Sequence, residues 1–256
     1  KASFFSLMVL LSCKAVIGFH VGLGGDFDAL LLFLLTASAY YFVCFIDDEN
    51  KNHLYLAAIC TGLAFYTKGP AGLVYLPSFL LYALYRQKLK WMMANYATWV
   101  SLLIVVAIAG SWIVLQAYYG SKTVSADTHY GTSNSLQVLF WHDLVRRFTD
   151  TGFEHEKQAR DFFFFFTTMD ARLNLWNYIF YLVVASGLWI AYKRRLPVSS
   201  ILKQQTAIVF SIIMILPLAL VLSLAANQHD WYLAPVWGFV AYIIVRGILY
   251  WSNKWK

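Results

Sequence analysis

Residues 54–85 read LYLAAICTGLAFYTKGPAGLVYLPSFLLYALY. Two apolar runs, 54–67 and 73–85, flank a break centred on Lys68-Gly69-Pro70. As helices, each run would be about 20 Å long at 1.5 Å per residue. The hydrocarbon core of a bilayer is about 30 Å thick, so helices this short are expected to meet below one membrane surface. A lysine at that depth needs a counter-anion or a water-filled cavity, because an isolated intramembrane charge costs at least about 2.5–3.5 kcal/mol. Glycine and proline end the helix there and are expected to leave backbone N–H groups for an anion. Lys68 therefore reads as a phosphate-binding residue; the structural alternative is a lysine that snorkels to the interface.

The rest of the chain has the same character. Hydrophobic residues make up 60% and charged residues 13% of 256, against about 45–50% and 25% in soluble domains. The apolar runs are 2–19, 29–46, 54–67, 73–85, 92–118, 175–192, 206–226 and 231–250. The fold class is all-α, a polytopic transmembrane helical bundle of about eight apolar runs, two of them short. Its regions are 1–118, a first membrane region; 119–174, an outer amphipathic segment; and 175–256, a C-terminal membrane region.

The net charge of +7 does not indicate nucleic acid. The cations cluster in short connectors (Arg86, Lys88, Lys90; Lys193, Arg194, Arg195, Lys203; Lys254, Lys256), and positive connectors mark the cytoplasmic side and contact membrane lipids. An even number of runs separates these clusters, so the assignment is self-consistent. Asp47, Asp48, Glu49 and His53, beside Lys51, read as a solvated inner turn. Cys13, Cys44 and Cys60 lie within apolar runs, match no metal spacing and are odd in number, so they read as packing residues. The chain opens on Lys1 with no signal-peptide n-region, and residues preceding Lys1 are expected.

The outer connectors hold most of the acids and histidines. Gly24-Gly25-Asp26-Phe27-Asp28 precedes the second run, where negative charge favours a helix N-terminus. One carboxylate suffices as an N-cap. The other could orient or deprotonate an acceptor hydroxyl, or bind a cation. Phe162 to Phe166 reads as an apolar patch on the membrane surface, and Asn174, Asn177 and Tyr178 as anchors of the next span.

Taken together and in order, GDFDALLLFLL, GLAFYTKGPAGLVYLPSFLLYAL and NQHDWYLAPVWGFVAY resemble the GT-C glycosyltransferases of family 39. These are bacterial relatives of the dolichyl-phosphate-mannose–protein mannosyltransferases and include the lipid A 4-amino-4-deoxy-L-arabinose transferases. The resemblance runs from about residue 20 to residue 245, with TKGPAG its most specific part. It implies inverting transfer of a sugar from a polyprenyl-phosphate donor to an extracytoplasmic lipid, protein or glycan, at the periplasmic face of the bacterial inner membrane. Carried over by position, Asp26 and Asp28 are the catalytic candidates, and Lys68, Arg146, Arg147 and His229 are the candidates for the donor phosphate. Arg146 and Arg147 lie in a stretch that looks like the family's outer amphipathic helix. Glu154 and His155 are similar to a Glu-Gly-His element and could hold a divalent metal ion; no cofactor is otherwise implied.

Two departures stand out. Gln228 and His229 occupy the place where the family has a lysine before its Trp-Tyr/Leu-x-x-Pro stretch. The family's leading acid pair precedes the region covered by this chain. The rival function is a transporter or flippase of an anionic lipid-linked substrate, since interrupted helices with a central lysine also mark transporters; the sequence shows no convincing inverted repeat. A scaffold with the outer segment as its docking surface is the second rival.

Overall fold

A computed structural model describes residues 2–17, 27–119, 161–193, 195, 205–225 and 228–254. Among the described residues the chain is helical and contains no strand, as the all-α reading requires. Among the described residues, five segments are long and apolar enough to cross a membrane: Asp28–Asp48, Tyr96–Tyr119, Leu175–Lys193, Thr206–Leu224 and Asp230–Ser252. The chain forms two compact units.

The helices are α1 (Ala2–Leu11), α2 (Lys14–Ile17), α3 (Asp28–Asp48), α4 (Lys51–Lys68), α5 (Leu76–Tyr85), α6 (Leu89–Ala94) and α7 (Tyr96–Tyr119), then α8 (Phe164–Arg172), α9 (Leu175–Lys193), α10 (Thr206–Leu224) and α11 (Trp237–Lys254). Tight 3-10 segments occupy Gly69–Leu73 and Asp230–Val236.

One unit is built on α3 to α7. Leu31, Leu34, Leu35, Ser38, Phe42, Phe45 and Ile46 are the buried side of α3, a spacing that lines one helix face. Asp28 falls three residues before Leu31 on that same face. The α3–α4 corner is set locally: Glu49 takes a left-handed backbone, φ 57°, and its N–H reaches Phe45 O at 2.9 Å. Asn50 then caps α4, its side chain accepting from Asn52 N at 3.0 Å.

Across the α3–α4 interface the Ser38 and Thr61 hydroxyls are 2.7 Å apart, and Ser38 donates to Ala57 O at 3.1 Å. Small residues let the backbones approach, as in membrane helix pairs generally. On its other side α4 meets α7, where a Cβ on Gly62 would stand 2.8 Å from Ile108 Cβ. Tyr66 and Ser111 pair their hydroxyls at 2.5 Å, and Phe65 meets Trp112 edge-on at 5.6 Å. α7 buries fully only the stripe Ala97, Ser101 and Val105, and large apolar side chains such as Leu103, Val106 and Val114 stay exposed.

The short-helix expectation holds for α5 and fails for α4. Polar residues from Lys51 to His53 continue the helix, so α4 has 18 residues, about 27 Å, while α5 has 10. Two other runs are subdivided. The first breaks at Ser12-Cys13, where both side chains hydrogen-bond back to Val9 O. The run 92–118 is interrupted at Asn95, whose extended backbone and side-chain bond to Ala97 N start α7. At the α5–α6 corner Arg86 donates to Asp47 at 2.6 Å, and Lys88 donates to both Glu49 and Ile46 O at 2.7 Å. These acids of the 47–53 turn are therefore partnered by protein, not merely solvated.

The other unit gathers α1, α2 and α8 to α11. α11 packs on α1 and α9; a Cβ on Gly247 would come within 2.4 Å of the Val183 side chain. Trp237 is 1% exposed and stacks on Phe165 at 5.9 Å. The Phe162–Phe166 patch is thus split: Phe164 and Phe165 are buried, while Phe162, Phe163 and Phe166 are exposed. Asn177 is a buried donor to Asp170 at 2.7 Å, and Asn174 takes a positive φ of 53°.

Candidate active site

Asp28 opens α3 as its first helical residue. Phe27 holds the cap position, so Asp28 is not the N-cap that one of the two acids was expected to be. It is 5% exposed, and its Oδ1 accepts from Lys68 Nζ in a close ion pair. Its Oδ2 is buried without a hydrogen-bond partner.

The pairing follows from the helix register. Ser38 meets Thr61; Asp28 lies ten residues back along α3 and Lys68 seven residues onward along α4. Those offsets are about 15 and 10 Å at 1.5 Å per residue, and the long lysine side chain covers the difference. The break fixes where Lys68 ends its helix. Gly69 has φ 56° and caps α4 with an N–H to Phe65 O, so this amide is not available to an anion as had been expected of the break. Gly72 folds back on the helix so closely that a Cβ would sit 2.3 Å from Phe65 N. The lysine is consequently at the level of α3's first residue, at a helix terminus whose dipole favours a cation, with 29% of its side chain exposed.

A carboxylate with one oxygen on an ammonium and the other buried and unpartnered is an incomplete arrangement. An unsatisfied buried acceptor costs about 1–3 kcal/mol. A hydroxyl donor placed at Oδ2 would complete it.

In the other unit Arg172, at the end of α8, donates through Nε to Asp230 Oδ2 at 2.6 Å. Asp230 Oδ1 is likewise buried and unpartnered. The sequence reading missed Arg172. Its signal was a cation beside an apolar span in a segment assigned to the outer side, where the positive-inside rule expects few. His229 stacks on Trp231 at 4.4 Å and meets Tyr232 edge-on at 5.2 Å. Gln228, which stands where the family lysine was expected, hydrogen-bonds the backbone N–H and carbonyl of Asp161, each at 2.9 Å. Asp26, Arg146, Arg147, Glu154 and His155 lie outside the described residues.

A family model described as dolichyl-phosphate-mannose-protein mannosyltransferase matches residues 1–114. Neither the curated proteins nor the solved structures contain a match. The matched part, 114 of 256 residues, runs from α1 into α7 and includes both members of the Asp28–Lys68 pair. Over residues 1–114 the chain is therefore similar to the dolichyl-phosphate-mannose-protein mannosyltransferase family, and the similarity includes the Asp28–Lys68 pair.

Proposed function

We propose that this chain is part of a glycosyltransferase that moves a sugar from a polyprenyl-phosphate donor to an acceptor on the periplasmic side of the inner membrane, with inversion at the anomeric carbon. The observation that carries the reading is the Asp28–Lys68 pair with its buried, unpartnered carboxylate oxygen. The acceptor hydroxyl attacks the anomeric carbon as the bond from that carbon to the phosphate oxygen breaks. The polyprenyl phosphate departs, and the hydroxyl proton passes to a carboxylate base.

Asp28 Oδ2 receives and orients the acceptor hydroxyl. Lys68 orients the Asp28 carboxylate through its ion pair and offsets charge on the departing phosphate, the type of electrostatic support that often dominates such reactions. Asp26 is a second acid for the same role. Arg146, Arg147 and His229 are further donor-phosphate ligands, and Glu154 with His155 a divalent-ion site.

The test is single-turnover consumption of a polyprenyl-phosphate sugar by the full-length protein in nanodiscs. Asp28→Asn and Lys68→Ala are expected to lower the rate at least about a hundredfold, with Lys68→Arg recovering part of it. Turnover unchanged in both folded variants rejects the site. Movement of intact lipid-linked sugar across the membrane without cleavage assigns the chain to the transporter reading instead.

A further inference from the structure

At the opposite end of α3 from Asp28, three side chains of different chemistry face one another. Cys44 and Asp48 are one helical turn apart on α3, and His53 comes from the first turn of α4; one ligand atom from each lies within 4.8 Å of the others. His53 Nδ1 is buried without a hydrogen-bond partner and stands 3.8 Å from Asp48 Oδ2, too far for a hydrogen bond. Its ring is held in place by stacking on Tyr41 at 6.3 Å. The neighbouring acids are committed elsewhere, Asp47 to Arg86 and Glu49 to Lys88. Among the described residues, Asp48 has its ion-pair contact with His53 alone.

We propose that Cys44, Asp48 and His53 form a binding site for a divalent transition metal of the zinc class. Sulfur, imidazole nitrogen and carboxylate oxygen together suit this borderline-soft ion, which favours four-coordinate tetrahedral sites. Donors around such an ion lie about 3.5 Å apart, given metal–ligand distances of roughly 2.0–2.3 Å. The present 4.8 Å limit is about 1.3 Å wider than that spacing. Binding converts the Cys44 thiol to a thiolate and releases one proton. The thiolate and carboxylate then balance the two metal charges, and His53 Nδ1 gains its missing partner. A water or one further donor completes the fourth position. Because α3 has 21 residues, about 31 Å, the site is a bilayer's thickness from Asp28. Its role is to fasten the α3–α4 corner, not to touch the sugar.

The experiment uses the full chain in nanodiscs, stripped with chelator and titrated with Co²⁺, then with Zn²⁺ in competition. One Co²⁺ per chain should bind with a thiolate-to-metal charge-transfer band, displaced by Zn²⁺. Cys13→Ser/Cys60→Ser should keep the band and Cys44→Ser remove it. His53→Gln and Asp48→Asn should each weaken binding at least about tenfold. Zn²⁺ should raise the Tm of the parent chain and leave that of Cys44→Ser unmoved. A folded parent chain without the band, or a band that survives Cys44→Ser, overturns the site. Should Cys44→Ser fail to fold, unchanged Co²⁺ affinity in His53→Gln and Asp48→Asn overturns it equally.

Discussion

Lys68→Ala isolates what the ion pair contributes to the fold. It leaves Asp28, 5% exposed, with neither carboxylate oxygen partnered. Removing one member of a fully buried pair costs about 3–5 kcal/mol. Lys68 retains 29% side-chain exposure, so water already reaches the ammonium, and the expected cost falls to roughly 2–3 kcal/mol. Asp28→Asn removes the charge and keeps the shape, but strands the ammonium nearer to water, so about 1–2 kcal/mol is expected. The double variant Asp28→Asn/Lys68→Ala has no charge to strand and should lose less than the sum, with a coupling of at least about 1 kcal/mol. Reversible unfolding in mixed micelles, monitored by circular dichroism on all four proteins, measures this cycle. Strictly additive losses would refute the pairing and, with it, the register argument that joins the start of α3 to the end of α4.

Other substitutions probe the elements that place this pair and its counterparts. Gly72→Ala puts a methyl 2.3 Å from Phe65 N and should destabilise by about 1–3 kcal/mol while shifting Lys68, seen as loss of turnover beyond the stability loss. Ser38→Ala breaks the α3–α4 hydroxyl contact and should cost only about 0.6 kcal/mol, the average for such bonds between membrane helices; chemical unfolding measures it. Arg172→Ala should destabilise by about 1–3 kcal/mol by stripping a half-buried carboxylate of its partner, and Arg172→Lys should recover part of that in the same assay. Trp237→Ala should lower stability by about 3–5 kcal/mol, read as a fall in the midpoint of thermal unfolding.

Much of the architecture was legible because a bilayer constrains sequence strongly: long apolar runs, basic connectors and a helix break each carry a separate signal. The α3 face shows it well, since Asp28, Leu31, Leu35, Ser38, Phe42 and Phe45 share one helical side. Hydropathy failed where polar residues sit inside a helix. Lys51, Asn52 and His53 read as connector, yet the Asn50 cap makes them the first turn of α4. It failed again at Asn95, where one side-chain bond starts a new helix within an apolar run.

The candidate site was legible as residue types and less so as partners. Lys68 was expected to need a counter-anion, and Asp28 supplies it. The break was also expected to bare its amides, but Gly69 turns its own back into the helix it ends. Arg172 and Asp230 are 58 residues apart, and no local pattern announces such a meeting. Cys44 looked like filler because its companions lie four and nine positions downstream, across a change of direction that spacing rules do not anticipate.

The double grip of Lys88 bears on how the polypeptide enters its membrane. Its ammonium holds the last turn of α3 through Ile46 O and Glu49, yet it lies about forty positions downstream of them. During synthesis the α3–α4 hairpin must leave the insertion machinery with this end unfastened. The latch closes once α5 has followed and brought the Arg86–Lys88 corner alongside, so this end of the α3–α4 pair is fastened only after α5 has been made.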